Sequence, residues 1–291
     1  MDYIQSMQSA IDYMEAHLLE NITYEDVARH VYMSNYHFHR LFSMLTGISA
    51  NEYIRNRKLS MAGQELNLSD KKVIDIALKY GYESPESFSK AFSRFHGVTP
   101  NAARQSGIPL KFFDRLIIKI RLEGGTAMEY KIVEREKFKL LAKVEAFRNE
   151  VVSEDGNEIP EFWEKCGKNG VFDVLRQHTK QHDTYGVCAP ISKESTHFDY
   201  GIGMIYEGGE IPEGFRIWEV NPTLWAVFKC IGTNGDCIGK MWERIFNEFL
   251  PGSVYNMLDD TDFELYYENG EADCFCEIWI PVEKKGIFLN E

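Results

Sequence analysis

Nothing in this chain marks it as disulfide-stapled, zinc-bound or membrane-embedded. Its six cysteines (Cys166, Cys188, Cys230, Cys237, Cys274 and Cys276) form no C-x-x-C pair and have no nearby histidine at zinc-ligand spacing. They read as small buried residues of a reducing compartment, so the expected location is the cytoplasm. No apolar run approaches the length needed to span a bilayer. The start MDYIQSMQSAIDYMEAHL is acidic and its apolar residues are spaced, unlike a secretory signal. Low-complexity segments are absent. Gly201-x-Gly203 lies in a strand-like run without the helix a dinucleotide fingerprint requires, and GTNGDCIGKM lacks the Lys-Ser/Thr ending of a phosphate loop. No catalytic, metal or cofactor constellation is assembled. The expectation is a protein that is not an enzyme and carries no cofactor.

What is present in excess is negative charge, −13 over 291 residues, and it is unevenly placed. Residues 1–121 hold slightly more basic than acidic side chains, whereas the acidic excess falls within 122–291. That length suits about two domains, and the asymmetry implies different partners for the two parts. The small basic excess does not support tight non-specific binding to nucleic acid by phosphate neutralisation alone.

One pattern appears twice, fifty residues apart: Tyr32, Ser34, Phe38, Phe42, Ser43 and Gly47 recur as Tyr82, Ser84, Phe88, Phe92, Ser93 and Gly97. Each serine stands where a helix N-cap belongs, and each glycine stands just past the last turn. Phe38, Leu41, Phe42 and Leu45 mark one helical face, as do Phe88, Ala91, Phe92 and Phe95. A shorter amphipathic run precedes each copy. Helix, tight turn and capped helix is the helix-turn-helix pattern, whose second helix enters the DNA major groove. The spacing predicts helices near 3–19, 24–31, 35–46, 50–67, 71–79 and 85–96, with a further turn at Ala102–Gln105. Asn35, Tyr36, His39, Arg40 and Ser43 face away from the first apolar stripe, with His37 against the preceding helix. Pro85, Glu86, Ser89, Lys90 and Ser93 face away from the second. Arg reads guanine, Asn pairs with adenine, and Glu accepts from cytosine. The first helix is the stronger base reader, and the second anchors through Ser87, Lys90 and Arg94.

After Gly107-Ile108-Pro109 the character changes. Leu116–Leu122 is apolar and β-branched, and Glu129–Val144 again looks extended. Strand-like runs follow at Phe138–Phe147, Asp183–Ile191, Phe198–Glu207, Leu224–Ile231, Phe263–Tyr267 and Cys274–Val282. Helical stretches fall at Ile159–Lys180 and Asp236–Leu250. The expected architecture is multidomain: an N-terminal all-α tandem helix-turn-helix domain, then an α+β domain with an antiparallel sheet. The domains are 1–108 (helix-turn-helix units about 24–46 and 73–96), a linker at 109–125, and 126–291.

DFELYYENGEADCFCEIWIPV reads as a hairpin with Asn269-Gly270 in its turn. A symmetric turn there places Glu264 directly opposite Glu277, Tyr266 beside Phe275 and Asp262 beside Trp279. It leaves Phe263, Leu265 and Tyr267 against Ile278, Cys276 and Cys274 as core. Facing like charges destabilise a sheet. Either the glutamates are solvated at an edge, or one is protonated with a raised pKa, or they await a cation among aromatic rings.

MSNYHFHRLFSMLTGISANEYIRNRKLSMAGQEL followed by VIDIALKYGYESPESFSKAFSRFHGVTP resembles the AraC/XylS-type DNA-binding domain. MEYKIVEREKFKLLAKV, IPEFW, FDYGIGMIY and DFELYYENG followed by CEIWIPV resemble, in order, the gyrase-inhibitor-like (GyrI-like) effector-binding domain. The first resemblance implies two recognition helices in successive major grooves, with base reading at Tyr36, His39 and Arg40. The second implies ligand-binding glutamates at Glu264 and Glu277. Tyr266, Phe275, Trp279, Trp225 and Trp163 are candidates for the cage, as are Tyr206 and Trp218. Together they imply a cytoplasmic transcriptional regulator, an activator, responsive to a hydrophobic, cationic small molecule. The implied partners are double-stranded promoter DNA bound as a monomer, the effector and RNA polymerase, with no membrane. Two alternatives stay open for the acidic domain. One is a GyrI-like hydrolase of small electrophilic toxins using Glu264 with Tyr266 or Trp225, and the other is a protein-interaction module.

Overall fold

The computed structural model describes residues 3–105, 107–118, 127–149, 158–192, 194–270 and 273–285. The chain divides into two compact units, Met1–Met33 with Phe42–Leu122, and Ser34–Leu41 with Glu123–Glu291. Of the strand-like run Leu116–Leu122, residues 116–118 form no strand, and 119–122 lie outside the described residues, as do Gly124-Gly125.

The helices of the first part are α1 (Tyr3–Ala16), α2 (Tyr24–His30), α3 (Asn35–Thr46), α4 (Ala50–Leu68), α5 (Val73–Lys79) and α6 (Pro85–His96), followed by a 3-10 turn at Ala102–Arg104. Their starts are written in short polar side chains. The Thr23 amide and hydroxyl donate to the Asp26 carboxylate at 3.0 and 3.1 Å. Ser49 Oγ accepts from the Glu52 amide at 3.1 Å, and Ser84 Oγ accepts from the Ser87 amide at the same distance. Gly97 closes α6 at φ +80°, a left-handed position that suits glycine. Phe88 and Phe92 of α6 are buried with Leu59, Leu66, Ile76 and Tyr80.

The repeat is less regular than its fifty-residue spacing suggests. At the end of α2 the Met33 amide bonds to the Ala28 carbonyl across Tyr32, at φ +59°. At the end of α5 the Tyr82 amide bonds to the Ala77 carbonyl across Gly81, at φ +83°. Tyr32 therefore corresponds in conformation to Gly81 rather than Tyr82, and the second turn is one residue longer before its N-cap serine. Tyr32 holds the left-handed position without being glycine, and its side chain is exposed.

The second unit is built on a nine-stranded sheet in which every pairing is antiparallel. Its strands are β1 (Lys131–Arg135), β2 (Phe138–Arg148), β3 (Thr184–Pro190), β4 (His197–Ile205), β5 (Arg216–Val220), β6 (Thr223–Ile231), β7 (Tyr255–Met257), β8 (Asp262–Tyr266) and β9 (Cys274–Lys284). They lie in the order β1-β6-β9-β8-β3-β4-β2-β5, with β7 also on β9. The expected helix Ile159–Lys180 is two helices, α7 (Glu158–Lys168) and α8 (Val171–His178), because Gly170 turns left-handed between them at φ +71°. The second expected helix is α9 (Asp236–Arg244), prolonged by a π turn at Ile245–Phe249. β5 and β7 escaped the sequence reading, β7 because three residues are too few to show a period.

Two apolar layers flank the sheet. Phe162, Cys166, Val171 and Leu175 of α7 and α8 pack on Leu141, Tyr200, Ile202 and Met204. Leu140, Tyr185, Val187, Trp218, Trp225, Phe263, Leu265 and Trp279 form a second cluster, made of the alternate residues of the same strands. Gly203 in β4 sits where an added Cβ would lie 2.7 Å from the Leu141 carbonyl oxygen. All five tryptophans, at 163, 218, 225, 242 and 279, belong to this unit. Gly203→Ala is accordingly expected to lower its stability by about 1–3 kcal/mol, read as an earlier urea transition in tryptophan fluorescence. A Gly203→Ala midpoint equal to wild type would show that the sheet yields there at no cost.

Candidate functional site

The hairpin register differs from the sequence expectation by one residue. β8 and β9 pair Phe263 with Trp279, Glu264 with Ile278, and Leu265 with Glu277. Seven residues separate β8 from β9, so the reversal is not a two-residue turn at Asn269-Gly270, and its length sets the shift. A one-residue slip changes which side chains of the two strands share a face throughout the pair. Glu264 and Glu277 thus lie on opposite faces of the sheet and do not form the expected pair.

On one face Glu277 is buried and fully engaged. It accepts from Lys131 Nζ at 2.9 Å, the Tyr267 hydroxyl at 2.8 Å and Trp279 Nε1 at 3.0 Å. Trp225 and Trp279 lie on this side, 6.2 Å apart between ring centroids, with Trp218 in the same cluster. These three tryptophans and Glu277 therefore cannot line a cage around Glu264.

On the other face β8 carries Asp262, Glu264 and Tyr266. The Tyr200 hydroxyl, from β4, reaches Glu264 Oε2 at 3.4 Å and itself accepts from Trp163 Nε1 at 2.8 Å. Trp163 stands 5.0 Å from the Tyr266 ring, and Tyr266 stands 5.7 Å from Phe275. Phe275 reaches this side because the β6–β9 pairing steps from Cys276 to Cys274 at Cys230/Ile231, leaving Phe275 as the extra residue of a bulge. Three expected cage aromatics, Trp163, Tyr266 and Phe275, therefore gather near Glu264. Tyr206 instead donates to the Gly209 carbonyl. Gly186 of β3, directly across from Glu264, makes room for the group. A Cβ there would lie 2.5 Å from the Tyr200 hydroxyl and 2.8 Å from Glu264 Oε2.

The segment Ser34–Leu41 belongs to this unit. Its Arg40 donates from Nη1 to both Asp262 oxygens, at 3.0 and 2.8 Å, and to the Tyr36 hydroxyl at 2.7 Å. The Arg40 guanidinium lies 3.7 Å from the centroid of the Trp242 ring. Tyr36 and Cys188 meet at 2.8 Å between hydroxyl and Sγ. His37 approaches Asp259 at 3.0 Å rather than the preceding helix, and Ser34 Oγ donates to the same carboxylate at 2.8 Å. Asn35, Tyr36 and His39 are buried, and Arg40 and Ser43 are half-buried. On α6, by contrast, Glu86, Ser87, Lys90 and Arg94 are exposed and Ser89 is half-buried.

Burial, then the neighbouring Asp262 charge, pushes Glu264 up to about 7 against an opposing pull from Arg40. The like charge beside Glu264 is therefore Asp262, two residues along the same face, and not Glu277. Asp262 is also raised by burial, with Arg40 working the other way. Burial alone brings His39 down to about 4. Asp262, Trp242, Tyr200 and Cys188 are participants that the sequence reading missed. The Asp262-x-Glu264 alternation carried a signal for the first, since two acids at i and i+2 on one strand share a face. Trp242 lies in the helical stretch Asp236–Leu250, which carried no binding role in the sequence reading.

Residues 131–282 match the family described as integron-associated effector binding protein, and residues 27–106 match a helix-turn-helix domain family. Over 306 aligned positions the chain is 30% identical to the transcriptional regulator Rob of Salmonella typhimurium, spanning 98% of this chain and 100% of that one. The chain belongs to the AraC-type transcriptional regulators. Within that family it couples a DNA-binding domain to a GyrI-like effector-binding domain. It is also 39% identical over 104 residues to YbfP, an uncharacterised HTH-type transcriptional regulator of Bacillus subtilis, over 36% of this chain and 35% of that one. To the HTH-type transcriptional activator AarP of Providencia stuartii it is 36% identical over 94 residues, 32% of this chain and 70% of that one. It thus spans about a third of YbfP and the whole of Rob. No helix among the described residues is long and apolar enough to cross a membrane.

The raised Glu264 carboxyl has a consequence for stability. Folding favours its protonated form, so its contribution is complete below the unfolded value near 4.5 and is lost as pH rises through about 7. Asp262 adds a slope of the same sign. Glu264→Gln is therefore expected to flatten the decline in urea stability of the second unit between about pH 5 and pH 8, and to leave the variant more stable than wild type at the alkaline end. Parallel wild-type and variant profiles would place the Glu264 carboxyl at its ordinary value.

Proposed function

We propose that this regulator activates transcription in the cytoplasm when an aromatic cation binds the face of β8 that carries Glu264. The observation that carries the reading is a half-buried carboxylate beside Tyr200, Trp163 and Tyr266, with Phe275 against the Tyr266 ring. Such a frame suits a delocalised positive charge, because the carboxylate supplies the counter-charge and the ring faces supply the attraction. On the DNA side, Asn35, Tyr36, His39, Arg40 and Ser43 form the base-reading set of the first recognition helix. The burial of Asn35, Tyr36 and His39 means that they read bases only once the Ser34–Leu41 segment gives up its present contacts. Glu86, Ser87, Ser89, Lys90 and Arg94 position the second. Two recognition helices in one chain support binding to promoter DNA as a monomer. The name of AarP supports activation, which entails contact with RNA polymerase.

The test uses two probes of one shape on the full chain, N-methyl-4-phenylpyridinium and the neutral 4-methylbiphenyl, followed by tryptophan fluorescence. At pH 8, Glu264→Gln is expected to weaken the cation by about tenfold or more, corresponding to ~1.4 kcal/mol, and to leave the neutral probe unchanged. Wild-type affinity for the cation rises as pH increases from about 6 to 8, as the Glu264 carboxyl ionises. Equal losses for both probes, or none for the cation, would remove Glu264 from recognition.

A further inference from the structure

Arg40 has the residue type and helix position of a base reader, yet its side chain is arranged like a bound ligand. Two hydrogen bonds run to one carboxylate, Asp262, whose side chain is only 1% exposed. An indole face lies 3.7 Å from the guanidinium carbon, and that indole, Trp242, is buried. A hydroxyl that accepts from the same Nη1 comes from Tyr36, which is itself held against Cys188. Ser34 and His37 tether the same segment at Asp259. Carboxylate for the N–H edge and aromatic ring for the flat face is how a guanidinium is recognised.

We infer that Asp262 and Trp242 form a guanidinium site whose resident is Arg40, and that a planar, N–H-bearing cation enters by displacing Arg40. The inference rests on the reading of the second unit as a cation-binding one, and it adds both the ligand class and the regulation of that site. Charge balance favours exchange over vacancy. Asp262 is buried and lies beside the half-buried Glu264 on the same strand face. Departure of Arg40 therefore removes the main counter-charge of both and leaves Asp262 only the weaker influence of His37. A guanidinium or amidinium restores the charge, the paired N–H donors and the stacking together. An N-alkylpyridinium restores only the charge and the stacking. Arg40 also cannot serve Asp262 and a base edge at once. Loading the site from outside therefore frees the Arg40 side chain and removes one hold on the Ser34–Leu41 segment, whose remaining contacts at Asp259 come from Ser34 and His37.

The test uses full-length wild type, Arg40→Ala, Arg40→Gln and Asp262→Asn, with phenylguanidinium followed by tryptophan fluorescence. Affinity for duplex DNA selected by the wild type from a random pool is measured alongside. Removing the internal competitor is expected to tighten phenylguanidinium by about tenfold in both Arg40 variants, whereas Asp262→Asn weakens it. Asp262→Asn, and wild type saturated with phenylguanidinium, are both expected to bind the selected DNA more tightly than free wild type. Phenylguanidinium affinity that is the same in wild type and the Arg40 variants overturns the displacement, as does DNA affinity of Asp262→Asn equal to wild type. If neither phenylguanidinium nor N-methyl-4-phenylpyridinium binds any of the proteins, the effector reading itself falls. A rise in DNA affinity for Asp262→Asn would then still establish Arg40 as the resident of the site.

Discussion

Two carboxylates of the same sign of charge, Asp262 and Glu264, share one face of a central strand, the first buried and the second half-buried. That placement is costly, and the surroundings are arranged around the cost. Glu264 meets it partly by holding its proton up to about 7. Asp262 meets it by holding Arg40 at 2.8 Å. Removing one partner from such a buried pair typically costs about 3–5 kcal/mol, because the other charge stays behind. Burial pulls the Arg40 guanidinium down, but Asp262 together with Tyr36, Cys188 and Glu264 drives it up by more. The bare backbone at Gly186, the Trp163–Tyr200 hydrogen bond and the Phe275 bulge belong to the same arrangement. They make room for the acids and line it with rings.

The helical part was legible because its signals are local. Caps at Ser49 and Ser84, the glycine at Gly97 and apolar faces at 3.6-residue spacing fix each helix within a few neighbours. The α+β character was legible for the same reason, strand by strand. The hairpin register was not, because it depends on how many residues the reversal consumes, and Asn269-Gly270 looks like a complete turn by itself. A one-residue difference there reassigned Glu277, Trp279 and Trp225 to the opposite face while leaving Glu264, Tyr266, Phe275 and Trp163 together. The break at Gly170 did carry a signal, the Asn169-Gly170 turn pair, which the helical spacing on either side masked.

Charge tells a similar story at two scales. The acidic excess of residues 122–291 located the second part of the chain, but most of those acids lie on its surface, such as Glu219 between Lys137 and Lys139. Salt bridges of that exposed kind contribute little. The acids that matter for a cation are those that composition cannot reveal, since burial and not number raises Glu264 and Asp262. Glu277 shows the contrast. Three donors saturate it, so it has no need of an external cation, whatever its sequence position suggests.

The two recognition helices then stand in different situations. Glu86, Ser87, Lys90 and Arg94 of α6 are exposed and need no rearrangement to meet a phosphate backbone. Tyr36 and Arg40 of α3 are committed to Cys188, Asp262 and Trp242. Phosphate contacts position a protein on DNA, and base contacts specify where. A chain that keeps its positioning helix available and holds its specifying arginine on an acid can associate with DNA while lacking its main base contact. The affinity it gains on release equals what Arg40 makes with a base less what it made with Asp262, unless an effector takes over Asp262. In that case the loss is made good by the effector, and the full base contact adds to DNA affinity. That difference is the coupling free energy between ligand and promoter, and by linkage the promoter must strengthen the ligand by the same factor.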